Sequence, residues 1–207
     1  MGSAIRVGVI GVGYLGRHHA RLYTELPGAT LVGVADLDEN RARDVAAATR
    51  ARAFTDYREM LPQVDAVSVV VPTSQHHRVA MDCLDAGLDV LLEKPMTVTL
   101  AEADELIAQA DAKRRIIQIG HLERFNGAVR ALAPRLTAPR FIESHRLGPF
   151  VGRGTDVHVI LDLMIHDLDI ILSLVRSPLT DIRAVGVPVL TSNIDIANTR
   201  LEFADGC

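Results

Sequence analysis

The chain has 207 residues, 48% of them apolar and 23% charged, with 15 glycines and 9 prolines, which excludes a disordered, collagenous or coiled-coil protein. Its 22 basic and 26 acidic side chains leave a formal charge of −4, no surplus for nucleic acid or an anionic membrane, and with no tryptophan it lacks stacking platforms for single strands. A discrete small molecule is the partner this balance suits. Cys83 and Cys207 lie far apart without metal-ligand spacing, so no metal and no disulfide framework are expected, and a cytoplasmic, reducing setting is the default. The N-terminus carries only Arg6 before a glycine-rich strand and shows no secretory signal.

In chain order, short apolar runs at Ile5–Ile10, Thr30–Ala35, Ala66–Val71, Leu88–Leu92 and Arg115–Ile119 read as strands covered on both faces. Between them, Leu15–Leu26, Glu39–Thr49, Gln75–Ala86 and Leu100–Ala112 read as helices, the last opening with Thr99 and Glu102 as a capping box. That alternation predicts an α/β fold, a Rossmann-type doubly wound parallel sheet over residues 1–120. A second domain, 121–207, is expected to be an α+β unit with an open-faced, mostly antiparallel sheet. It should hold a helix Phe125–Leu136, a strand Arg140–Leu147, a long helix from about Asp156 to Val175, and extended segments Asp181–Leu190 and Ile196–Phe203. His158, Asp162, His166, Asp167 and Asp169 within the long helix exclude a lipid-facing span. Alternation of Ala197, Thr199, Leu201 and Phe203 with polar neighbours predicts a sheet with one wet face. Ala204-Asp205-Gly206 is a hairpin turn signal with one residue after it, so the second domain reads as truncated.

Gly11-Val-Gly13-Tyr14-Leu15-Gly16 lies between the first strand and the first helix, and Asp36 ends the next strand twenty residues beyond Gly16. Gly11 permits a tight turn, Gly13 lets backbone approach a pyrophosphate, and Gly16 lets helix and strand pack closely, with the helix N-terminus favouring the anion. A carboxylate at Asp36 can accept both ribose hydroxyls and would repel a 2′-phosphate, which favours NAD over NADP. The plainer alternative is a packing turn with Asp36 capping the following helix. Arg41 or Arg43, if either reached the 2′ position, would admit NADP.

Further motifs make the pattern specific: Gly16-x-x-His19, Val71-Pro72-Thr73 with His76, Glu93-Lys94-Pro95, and Asp162-Leu-Met-Ile-His166-Asp-Leu-Asp169. Together they resemble the glucose–fructose oxidoreductase/inositol dehydrogenase/rhizopine-catabolism (Gfo/Idh/MocA) family over essentially the whole chain. The resemblance implies an NAD(P)-dependent sugar or polyol dehydrogenase that is usually a homo-oligomer and is longer than this chain. Gly120-His121-Leu-Glu123-Arg124-Phe125-Asn126, Phe141–Leu147 and Arg153–Val157 resemble the subgroup acting on C3 of UDP-N-acetylglucosamine in making lipid A precursors. A nucleotide-sugar substrate follows from that resemblance alone.

Oxidation of a secondary alcohol needs a base for the hydroxyl proton and a hydride acceptor. Asp162 and His166, four apart, share a helix face, and the imidazole is the candidate base; by spacing alone the pair could equally be a surface hydrogen bond. The resemblance makes them the catalytic Asp-x-x-x-His. Lys94, at the carboxyl end of a parallel strand, is suited to stabilise developing alkoxide charge. In the family its bond to Pro95 is often cis. Pro72 and Thr73 resemble the nicotinamide-ribose contact, and His76 and Glu93 belong to the implied cofactor set, although His76 could be only a first-turn helix residue. His19 matches a supporting position near the lysine. Arg124 and Asn126, with His121, match positions that hold the sugar or merely the domain junction. Arg146 and Arg153 are candidates to fork a diphosphate, or they form a solvated basic loop.

Overall fold

The computed structural model describes residues 4–148 and 158–207. The apolar runs become β1 (Ile5–Ile10), β2 (Ala29–Ala35), β3 (Arg52–Phe54), β4 (Ala66–Val69), β5 (Asp89–Leu92) and β6 (Ile117–Ile119), all parallel, in the order β3-β2-β1-β4-β5-β6. Both faces are covered, as a parallel sheet requires, by α1 (Gly16–Glu25), α2 (Glu39–Thr49), α3 (His76–Asp85) and α4 (Leu100–Lys113). The order reverses beside β1, which has β2 on one side and β4 on the other, so the strand-end crevice where such sheets take ligands opens at the glycine loop after β1.

Individual residues explain the element boundaries. Thr99 and Glu102 form the expected capping box on α4, with Thr99 Oγ1 accepting from the Glu102 N–H and Glu102 accepting from the Thr99 N–H. Asp38 caps α2 by accepting from the Asn40 and Arg41 N–H groups. Strand β3 was not expected from the sequence: it has three residues, two of them exposed, and so carries no apolar run to read. The core runs through the sheet, where Val9, Val34, Val69 and Leu92 are sealed from solvent between the helix layers.

The chain divides into two compact units, Met1–Gly120 and His121–Cys207. In the second, the expected helix Phe125–Leu136 is broken into a 3-10 turn (Leu122–Phe125), α5 (Gly127–Leu132) and another 3-10 turn (Ala133–Arg135). Asn126 restarts the helix by accepting from the Ala128 N–H, and Pro134 ends it by removing a donor. Residues 140–147 are not a strand. No strand among the described residues pairs with them; instead Ser144 and Arg146 turn their side chains onto Asp167. The long helix begins among the described residues with a π turn, Ile160–Met164, and continues as α6 (Ile165–Leu174). Strands β7 (Leu179–Val187) and β8 (Ile196–Phe203) pair antiparallel. The turn after β8 closes, with the Gly206 N–H on Phe203 O and φ of +85° at Gly206.

A Cβ built on Gly16 would lie 1.8 Å from Gly11 O, backbone that cannot yield without opening the loop. Gly16→Ala is expected to destabilise the first unit by about 1–3 kcal/mol, read as a lower Tm, and to abolish thermal protection by NAD. An unchanged Tm would contradict this packing.

Candidate functional site

The glycine loop leaves β1 through Gly11 at φ +84°, where a Cβ would meet Val70 O at 2.5 Å, so only glycine passes. A Cβ on Gly13 would meet nothing within 4 Å, which leaves room for a ligand to touch the backbone. Helix α1, ten residues long, has no side-chain cap at its N-terminus and no acidic residue in its first turn. Its positive end therefore remains available to an anion such as a pyrophosphate. At the end of β2, Asp36 Oδ2 accepts from the Val12 N–H at 2.9 Å, and Oδ1 accepts from the Asp38 N–H. The carboxylate thus braces the glycine loop. Arg41 Nη1 reaches Asp36 Oδ1 at 3.1 Å, whereas Arg43 pairs with Glu39, so of the two arginines only Arg41 stands at the carboxylate. These residues fit NAD: the loop and helix would hold the pyrophosphate, and Asp36 the adenosine ribose.

Beyond β5 the chain buries a charge. Glu93 is 7% exposed; its Oε1 accepts from His19 Nε2 at 3.1 Å and its Oε2 from the Lys94 N–H at 3.2 Å. His19 Nδ1 lies 3.3 Å from Ser68 Oγ, which is 2.8 Å from Tyr23 OH. A single polar chain therefore runs from α1 through β4 to the backbone of Lys94. Burial pushes the Glu93 carboxyl up, but the hydrogen bond and charge of His19 with the N–H and charge of Lys94 outweigh it and hold the group below its usual range. Lys94 itself is half-buried and precedes a cis peptide bond to Pro95. Sequence reasoning missed Ser68 and Tyr23. The signal was there in Ser68, a lone hydroxyl inside an otherwise apolar strand.

Thr73 is buried in the turn after β4, where the Gln75 N–H donates to Pro72 O. His76, one of the residues the resemblance implies for the cofactor set, is 1% exposed with its two ring nitrogens near backbone carbonyls of Pro95 and Val71. Tyr14 and Leu15 are exposed on the glycine loop, and Arg17 stacks over the Tyr14 ring at 5.2 Å. Burial pushes the Cys83 thiol up to about 12, which leaves it chemically inert.

In the second unit, Asp162 lies within the π turn and His166 at the start of α6; the wider turn rotates Asp162 relative to an unbroken α-helix. Three residues on from His166, Asp169 is buried and receives the Arg124 guanidinium in a fork of two 2.6 Å bonds, with His121 Nδ1 3.8 Å away. Arg146 makes a similar fork to Asp167, at 2.8 and 3.1 Å. Burial pushes Asp167 up, yet bonds from Arg146 and Ser144 and the charges of Arg146 and His166 hold it below the usual range. The expected anion role of Arg146 is thus met by a protein carboxylate, and Arg124 binds Asp169. Asn126 spends its side chain on the α5 cap and on Glu123. Arg146 also lines a cleft of about 840 Å³ with Leu163, Met164, Asp167, Asn198 and Thr199. Arg153 falls outside the described residues. Among the described residues no cluster of His, Cys, Asp or Glu could hold a metal ion, and no helix is long and apolar enough to cross a membrane.

A glycine-loop Rossmann unit with an acidic β2 terminus and a lysine at the end of β5 defines a dinucleotide-dependent oxidoreductase. Residues 5–121 match the oxidoreductase family with the NAD-binding Rossmann fold, Gfo/Idh/MocA, and the chain belongs to it. UDP-N-acetylglucosamine 3-dehydrogenase of Acidithiobacillus ferrooxidans is 44% identical over 203 residues, covering 98% of this chain and 64% of that protein. A solved structure of that enzyme superposes with a TM-score of 0.92, covering 98% of this chain and 67% of its own. Inositol 2-dehydrogenase 2 of Paenarthrobacter aurescens is 37% identical over 193 residues, covering 86% of this chain and 58% of that protein. The chain therefore spans less than two thirds of the length of these two curated relatives, 64% and 58%.

Two outcomes follow. Asp36→Ala is expected to weaken NAD binding and narrow the preference over NADP, since it removes the ribose acceptor and the repulsive charge together; titration with both dinucleotides checks this. Because Glu93 is held low, the stability it contributes is complete above the ordinary carboxylate pKa of about 4.3 and is lost as pH falls through the lower folded value. The Tm gap between wild type and Glu93→Gln should accordingly shrink below that pH; a gap constant from pH 7 to 3 would contradict it.

Proposed function

We propose that the protein is an NAD-dependent dehydrogenase that oxidises the C3 hydroxyl of UDP-N-acetylglucosamine to a ketone. The observation that carries this reading is the 44% identity over 98% of the chain to an enzyme of that name. NAD, when bound, accepts the hydride. The Lys94 ammonium donates a hydrogen bond to the reacting oxygen and stabilises the charge that develops there. His166 takes the hydroxyl proton and Asp162 orients its ring. Arg153 and Arg146 are the groups assigned to the diphosphate; Arg146 would exchange its Asp167 fork for the ligand. Arg124 and Asn126 act from the start of the second unit, Arg124 by holding Asp169 of α6, the helix that also carries His166. Such a ketone is the functional group an aminotransferase consumes, which suits a cytoplasmic step in amino-sugar lipid A synthesis. Exposed apolar residues on the β7–β8 sheet, among them Ile182, Val185, Val187 and Ile196, support a homo-oligomer.

Screening the full-length protein with NAD against UDP-sugars and free polyols, read as NADH absorbance, tests the reading. UDP-N-acetylglucosamine should be oxidised far faster than free N-acetylglucosamine or inositol; equal rates with and without the UDP group would overturn the substrate assignment. Lys94→Ala and His166→Ala should each lower kcat by about 10²-fold or more and leave NAD binding nearly intact. Arg153→Ala should raise KM for the UDP-sugar, since a lost charge-assisted contact costs roughly 1.5–3 kcal/mol.

A further inference from the structure

His76 opens α3 yet is turned inward, 1% exposed, so a polar ring occupies space otherwise given to apolar side chains. Its Nδ1 is 2.8 Å from Pro95 O and its Nε2 is 2.9 Å from Val71 O. Both partners are carbonyl oxygens, which can only accept. The ring donates to one of them from its N–H and packs its other nitrogen against the second, so the imidazole spans the gap between the two carbonyls.

The two carbonyls belong to the two turns that matter most. Val71 precedes Pro72 and Thr73 in the turn after β4, and Pro95 follows Lys94 in the turn after β5. The β4–β5 ladder ends with the Glu93 N–H on Val69 O, short of both carbonyls, so the stretch of turn beyond it is bridged by the ring. The far side of the second turn is anchored separately, by Thr97 Oγ1 donating to Thr99 O at 2.7 Å. The imidazole is the cross-brace between them.

We propose that His76 is a positioning residue: its buried ring bridges the Val71–Thr73 turn and the Lys94–Pro95 turn, fixing where Thr73 and Lys94 stand relative to each other. The role in turnover rests on the dehydrogenase reading above; the strap itself does not. Sequence logic that places a histidine near a cofactor motif as a ligand is here replaced by one that places it behind the motif as a brace.

Two measurements separate these claims. In protein carrying ¹⁵N-histidine, a His76 ring N–H should exchange slowly with solvent at neutral pH. A ring N–H that exchanges as fast as that of an exposed histidine would overturn the strap, whatever the protein catalyses. In the full-length protein, His76→Phe keeps the aromatic volume and removes the ring donor, and should lower kcat about tenfold or more with NAD affinity held within about threefold, because small displacements of a positioned group cost rate before binding. His76→Gln restores a donor and should recover part of the loss. An unchanged kcat in folded His76→Phe, or a loss of NAD binding equal to the loss of kcat, would contradict the positioning role.

Discussion

An ionised carboxylate costs several kcal/mol to bury unless its oxygens are fully engaged, and Glu93 is buried. Much of the first unit's polar arrangement answers that single demand. His19 comes from α1, Ser68 from β4 and Tyr23 from α1 again, and together they deliver one donor to the carboxylate while the backbone of Lys94 delivers another. The consequence is geometric. The helix whose N-terminus is offered to the cofactor and the turn that carries Lys94 are joined through one anion, so neither can shift without exposing it.

The same economy recurs at Asp36. Its carboxylate stands where the proposed cofactor's ribose would be met, and it also holds the Val12 N–H and so fixes the glycine loop across β1 and β2. Arg41 beside it softens the negative charge that would reject a 2′-phosphate. The second unit answers its own buried charge with arginine forks, Arg124 on Asp169 and Arg146 on Asp167, which pin α6 to segments with little regular structure of their own.

Much of this was legible in the sequence because parallel strands buried on both faces leave unbroken apolar runs, and β1, β2, β4, β5 and β6 all do. Strand β3 left no such trace, being three residues long and mostly exposed. Residues 140–147 carried a strand-like pattern, but pairing is a property of the neighbour and not of the segment. Helix interruptions at Asn126 and at the π turn depend on side-chain caps and backbone hydrogen-bond register, which periodicity averages away. The glycine loop was readable because a tight turn and a close helix–strand approach dictate glycine at fixed spacing, as the contacts of Gly11 and Gly16 show. What periodicity could not show was partnership: that His76 faces two carbonyls, that Arg146 already holds a carboxylate, and that Ser68 links Tyr23 to His19.

The proposed reaction removes a hydride from a sugar carbon, and that atom can be followed directly. UDP-N-acetylglucosamine carrying deuterium at C3, incubated with the full-length protein and NAD, should yield reduced cofactor bearing that deuterium, with slower turnover than the unlabelled sugar. Reduced cofactor free of deuterium, or no reduction at all, would contradict the account.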